Sequence, residues 1–226
     1  MLSPADLQAL WLTLELAGLT TLILLLGGTP LAWWLAHRRG RLAALLESVL
    51  ALPLVLPPTV LGFYLLLLFS PRQGPGHWWQ ALTGHTLAFS FFGILIASVI
   101  YSLPFVLQPL VTGFRQQGVH YLHAAATLGA TPWQRLWSVA LPMNRPHFIM
   151  ATSLGFAHTL GEFGVVLMVG GSIPGVTRVL SVALFEHVEA GEMIQAHVLA
   201  GLLLGGALGV MFVVNSFRRR GAHAVL

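Results

Sequence analysis

Five apolar runs dominate the chain, and each is long enough to cross a bilayer as a helix, which takes about 20 residues. They lie near residues 10–36, 45–69, 86–111, 148–169 and 196–217. Short segments rich in Gly, Pro, His and Arg separate them. The expected fold class is therefore all-α: a polytopic membrane helix bundle with about five transmembrane helices.

The charge content supports that reading. Only 8% of the 226 residues are charged and 56% are hydrophobic, with a mean hydropathy of +0.81. A soluble domain carries roughly a quarter charged residues. No polar linker divides the chain, so residues 8–220 read as one transmembrane domain. There is no cysteine, hence no disulfide or thiolate chemistry. No basic n-region precedes the first run, so a cleaved signal peptide is not expected.

All 11 basic residues are Arg. Without Lys there is no P-loop, whose Lys grips nucleotide phosphates. If ATP drives this protein, another chain binds it. The pI near 10.7 would suit nucleic acid, but the arginines cluster at the ends of apolar runs, so no nucleic-acid partner is expected. With the N-terminus outside, the inner loops carry Arg38, Arg39, Arg41, Arg115, Arg135, Arg145, Arg218, Arg219 and Arg220. The outer side keeps Arg72 and Arg178. Nine against two predicts an outer N-terminus and an inner C-terminus. A sixth span between Gly170 and Gly191, within the outer segment 170–193, would break this bias, although residues 176–188 could form a short re-entrant helix.

The second run contains Leu52-Pro53-Leu54-Val55-Leu56-Pro57-Pro58-Thr59. Proline removes a donor and clashes with the preceding turn, so the helix must kink or break there. Broken backbone is tolerated only against protein or water, so Pro53, Pro57, Pro58 and Thr59 mark either a transport path or a packing kink. Pro104 and Pro109 are expected to distort the third span similarly. In the last run, Gly201, Gly205 and Gly209 form a smooth face where a helix can approach. Packing within the chain is the preferred reading over dimerisation.

The inner segment 112–147 reads as two short helices. Tyr121 begins a helical run that ends at Leu128, with Gly129 supplying a left-handed residue. Thr131 caps a second helix, with Pro132 at its first position and Gln134 completing a capping box. Trp133, Leu136, Trp137 and Ala140 then form one apolar stripe, and Pro142 ends it. Such a knob suits docking to a soluble partner, or lying in the membrane interface on its tryptophans.

Here the chain resembles a known family. Ala124-Ala125, Gly129-Ala130 and Val139-Ala140-Leu141-Pro142 look like the EAA loop of ABC-importer permeases. The proline-rich second run, Leu160-Gly161-Glu162-Phe163-Gly164 and Ile173-Pro174-Gly175-Val176-Thr177-Arg178 resemble the molybdate, tungstate and sulfate group, with molybdate nearest. The likeness covers nearly the whole chain in order. It implies a type I permease fold in the cytoplasmic membrane of a prokaryote. It also implies a homodimer, two cytoplasmic ATP-binding subunits and an extracytoplasmic oxyanion-binding protein, with membrane lipid around the bundle. The loop residues His123, Ala124, Ala125, Thr127, Leu128, Gly129 and Ala130 would couple to the ATP-binding subunit. His123 stands where the family has Glu, and His158 where relatives often have Arg.

Glu162 lies deep in the fourth span, where a carboxylate is costly and is by default a functional candidate. His158, one turn earlier, is placed to reach it. The pair reads as pathway wall or gate, or as a structural hydrogen bond. Glu186, His187, Glu189, Glu192 and His197 gather in the outer segment without metal-ligand spacing, so they read as a solvated face or partner contact. No catalytic residue, metal or cofactor is expected. The resulting function is an oxyanion importer permease working by alternating access, with molybdate ahead of tungstate and sulfate. The rivals are a proton-coupled secondary carrier using Glu162 and His158, and a scaffold without transport.

Overall fold

The computed structural model describes residues 2–38, 40–72, 74–116 and 119–223, and every regular element among them is helical. Arg39 of the sequence reading lies outside the described residues. The first span is α1 (Pro4–His37), the third α5 (Phe91–Gln116), and the fifth lies in α12 (Met193–His223). The second and fourth spans are each interrupted. Helix α2 (Arg41–Ala51) and a 3-10 turn (Leu52–Leu54) precede α3 (Pro58–Leu68) at a bend of 107°. Helix α9 (Arg145–Leu160) precedes α10 (Gly164–Gly170) at 58°. Between them sit α4 (Gly74–Thr83), α6 (Val119–Thr127), α7 (Pro132–Arg135), a π-helical stretch (Leu136–Ala140), α8 (Leu141–Met143) and α11 (Leu180–Glu189).

Local chemistry sets the boundaries. Ser3 caps α1, and Asp6 closes the capping box by accepting from the Ser3 backbone. Ser90 caps α5 by accepting from the Gly93 N–H at 3.1 Å, so this span starts at Phe91 rather than near residue 86. Pro104 and Pro109, expected to distort the third span, lie inside an unbroken α5. Helices α1 and α9 pack along it. Such burial lets a span carry prolines, because neighbours hold the helix where a hydrogen bond is missing.

Helices α1, α5 and α9 form the centre. One apolar core gathers Leu16, Ile94, Val165 and Val169; a second gathers Leu24, Leu35, Val106, Leu110 and Ala151. Gly155 of α9 lets that helix meet α5, since a Cβ there would sit 2.5 Å from Val106 Cγ2. The last span departs from expectation. A Cβ on Gly201, Gly205 or Gly209 would meet nothing within 4 Å, so that smooth face is not packed within the chain. Helix α12 is held instead through residues such as Ala196 and Leu199 against α11 and α9.

The two ends of the bundle are pinned differently. At one end Asp6 is 1% exposed. Its carboxylate accepts from the Ser3 hydroxyl (2.7 Å), pairs with His187 Nε2 (3.0 Å) and lies 3.5 Å from Arg178 Nη1. Arg178 Nε donates to Glu186 (2.6 Å), and His187 Nδ1 pairs with Glu192 (2.6 Å). The Leu180 N–H donates to Thr13 Oγ1 at 2.7 Å. The outer acidic and histidine group is thus partly a clasp tying α11 to α1, rather than wholly a solvated face. Helix α11 has ten residues, about 15 Å, too short to cross. At the other end Arg115 pairs with Glu47. By the arginine bias the first end is the outer one.

The clasp has a pH signature. The hydrogen bond to Asp6 holds the His187 pKa above its ordinary 6.5, with Glu192 adding to the rise. A raised folded-state pKa means the charged form is favoured by folding. Its contribution is complete below pH 6.5 and is lost as pH rises through the folded value. Melting curves of purified protein between pH 6 and 9 should show this decline. His187→Gln should melt lower at pH 6 and lack the decline; an unchanged slope would remove the clasp from the account.

Candidate functional site

Both interrupted spans contribute to one cavity. In the second span, Pro53 is buried in the 3-10 turn, Val55 is 82% exposed, and Pro57 and Pro58 restart the helix as α3. In the fourth span, α9 ends at Leu160, and Gly161-Glu162-Phe163 lead into α10. The two restarted helices pack on each other through glycine. A Cβ on Gly62 would lie 2.7 Å from Met168 Cβ, and one on Gly164 would lie 2.9 Å from Pro58 Cβ. This close approach brings the starts of α3 and α10 around a cavity of about 440 Å³. Pro58, Thr59, Tyr101, His158, Glu162 and Gly164 line it, along with Gly161 and Phe163.

Four of the six pathway residues expected from sequence therefore converge: Pro58, Thr59, His158 and Glu162. Pro53 and Pro57 belong to the adjacent break but do not line this cavity. The expected contact between His158 and Glu162 does not form. The helix ends between them, so the spacing of four no longer stacks their side chains. His158 Nδ1 instead shares a 2.9 Å hydrogen bond with Ser102 Oγ, and its ring stacks on Phe105 at 3.8 Å. Ser102 in turn bonds Thr159 Oγ1 at 2.9 Å.

Glu162 is 4% exposed, and its carboxyl oxygens make no hydrogen bond of good geometry among the described residues, with the Ser98 hydroxyl as polar neighbour. Its main chain is secured, because the Ser181 hydroxyl donates to the Glu162 carbonyl at 2.6 Å. A buried, unpaired carboxyl is costly. It lies on the wall of the cavity, where an ionisable group in a span is by default a functional candidate. Ser102, Tyr101 and Phe105 were not found by sequence reading; they sit on α5, and nothing local distinguishes them.

At the inner end, α6 and α7 form the capped hairpin expected from sequence. Gly129 has φ +85°, and two hydrogen bonds close the turn: Ala130 N–H to Ala125 O and Gly129 N–H to Ala126 O, both 3.0 Å. Thr131 and Gln134 make the reciprocal cap. His123, Ala124, Thr127 and Leu128 are exposed, Leu128 at 88%. Ala125 and Ala130 are half-buried, while Leu122 anchors α6 in the inner core. The apolar stripe splits. Leu136 and Ala140 are buried, whereas Trp133 and Trp137 stay exposed and meet edge to face at 6.0 Å. A π-helical stretch widens the turn between them. Pro142 does not end the helix; it lies inside α8, and Asn144 makes the turn into α9.

Interrupted spans that meet at a cavity bearing a buried carboxyl group are a build that membrane transport subunits use. Residues 28–220 match the family described as the binding-protein-dependent transport system inner membrane component, and the chain belongs to that family. It is therefore a multi-pass transport subunit rather than an enzyme. It is 55% identical over 218 residues to the molybdenum transport system permease protein of Azotobacter vinelandii, covering 96% of each chain. It is 35% identical to the Escherichia coli K12 molybdenum transport permease, covering 84% of this chain and 82% of that one. It is 32% identical to the sulfate transport permease of the same organism, over 88% and 72%. The fold matches an inward-facing methionine ABC transporter (TM-score 0.76, 16% identity, 97% and 99% covered). It also matches a bacterial alginate ABC transporter (TM-score 0.77, 17% identity, 97% and 80% covered).

Proposed function

We propose that this chain is the permease subunit of an ATP-driven importer for molybdate in the cytoplasmic membrane of a prokaryote. Two copies line one path, two cytoplasmic ATP-binding subunits dock on the hairpins around residues 123–130, and an extracytoplasmic oxyanion-binding protein delivers the anion. The observation that carries this reading is the convergence of both interrupted spans on the cavity at Thr59 and Glu162. The 55% identity to a molybdenum permease supports the substrate.

The mechanism follows from the parts. Closure of the ATP-binding subunits pushes the capped hairpin, a rigid lever because both its turns are hydrogen-bonded. Leu122, Leu136 and Ala140 carry that push into the inner core. Residues 52–57, where the second span is already broken, form the gate that moves. The bundles then rock between inward-open and outward-open states. Glu162 does not capture the anion, since like charges repel; tight capture belongs to the binding protein. A proton relay has less support, because His158 bonds Ser102 and not Glu162.

Reconstitution tests this. Vesicles holding the permease, its ATP-binding subunits and the binding protein should take up labelled molybdate only with ATP inside the catalytic compartment. Tungstate should compete strongly and sulfate weakly. Uptake by permease alone, driven by a pH gradient, would sink the proposal in favour of a carrier; preferential uptake of sulfate would overturn the substrate alone.

A further inference from the structure

One face of α5 runs from the cavity at Glu162 into a second one. Tyr101, Phe105, Gln108, Thr112 and Arg115 recur at alternating steps of four and three, which places them on one side of a helix. Tyr101 lines the first cavity, and Phe105 stacks on His158. Gln108, Thr112 and Arg115 line a second cavity of about 530 Å³ toward the inner end. Its facing wall is α2, including Ala44, Glu47 and Ala51. The break at 52–57 lies between the two: Ala51 borders the inner cavity and Pro58 the other.

The chemistry of the inner cavity is that of an anion site. Arg115 offers a fork of N–H donors suited to a tetrahedral oxyanion. The Gln108 amide and Thr112 hydroxyl are further donors on the same face. The one carboxylate in the lining, Glu47, is already held by Arg115. Both partners are well exposed (46% and 34%), so the pair is weak and readily exchanged.

We propose that this cavity is the exit subsite for the transported oxyanion, in which Arg115 exchanges Glu47 for the anion once it has passed the 52–57 break. The proposal rests on the oxyanion-import reading above. It assigns Gln108, Thr112 and Arg115 as binding residues that no motif in the chain singles out.

The absence of native cysteine makes a direct test simple. Single cysteines at Ala44 or Ala51 report the cavity without removing a donor, and Leu45, 61% exposed and outside the lining, is the control. In the assembled complex, excess molybdate should slow maleimide labelling of Ala44→Cys and Ala51→Cys at least fivefold, and should leave Leu45→Cys unchanged. Adding Arg115→Gln should abolish the protection. Adding Glu47→Gln, which frees Arg115, should halve or further reduce the molybdate concentration needed. Labelling unaffected by molybdate, or protection that survives Arg115→Gln, would overturn the subsite. Uptake by the unsubstituted complex is scored separately: uptake without protection rejects only the exit subsite, and no molybdate uptake rejects the import reading itself.

Discussion

Replacing Gly129 by Val is expected to cut capture of an ATP-binding subunit by solubilised protein at least tenfold, and ATP-driven uptake with it. Gly129 sits at φ +85°, where a β-branched residue is strongly disfavoured. Holding Val there would cost about 1–3 kcal/mol. Each 1.4 kcal/mol is roughly tenfold in the population of the native turn. The cost cannot be steric crowding, because a Cβ at Gly129 meets nothing within 4 Å. The substitution therefore unlatches the turn between α6 and α7 and leaves the membrane core alone. Asn, which tolerates the left-handed region, should retain more capture than Val. Co-purification and size-exclusion profiles check both parts. Undiminished capture by the Val variant would end the docking role of the hairpin.

Gly62→Leu is expected to reduce uptake more than tenfold for the opposite reason, which is crowding. Its Cβ alone would sit 2.7 Å from Met168 Cβ and 3.3 Å from Val165 Cα. Neither atom is the end of a flexible side chain, so α3 must move away from α10. Overpacking of this kind costs about 1–3 kcal/mol. Here the displacement also pulls apart the two helix starts that enclose the cavity at Glu162. Gly62→Ala should be intermediate. Met168→Gly in the Leu background, which removes that Cβ, should restore part of the uptake, as expected of residues in direct contact. A Leu variant with full uptake and an unchanged melting curve would show that the α3–α10 approach does not shape the path.

What sequence makes legible here follows the range over which each signal acts. The five spans are legible because each is a continuous apolar run. The capped hairpin is legible because Thr131, Gln134 and Gly129 act within a few residues of one another. The cavity residues Pro58, Thr59 and Glu162 stand out because a proline pair and a buried carboxylate are conspicuous in apolar runs. The partner of His158 was misread for a physical reason: helical spacing links His158 to Glu162 only if the helix continues, and it stops at Leu160. Pro104 and Pro109 misled in the other direction, since tertiary packing holds α5 intact. The glycine face of α12 signals only that a helix can approach, and no helix among the described residues does. Asp6 was illegible because its ionic partners lie at the far end of the chain.

That separation has a consequence for how the protein is made. Asp6 is buried in the finished bundle, yet His187 stands 181 residues later in the chain. At about 5–20 residues added per second, this interval is on the order of 10 to 40 seconds of synthesis. Throughout it, of the partners that Asp6 has among the described residues, Ser3 at its own cap is the one already made. The outer end of α1 is therefore among the last parts to be secured, although its packing along α5 can form as soon as residues 91–116 are in place.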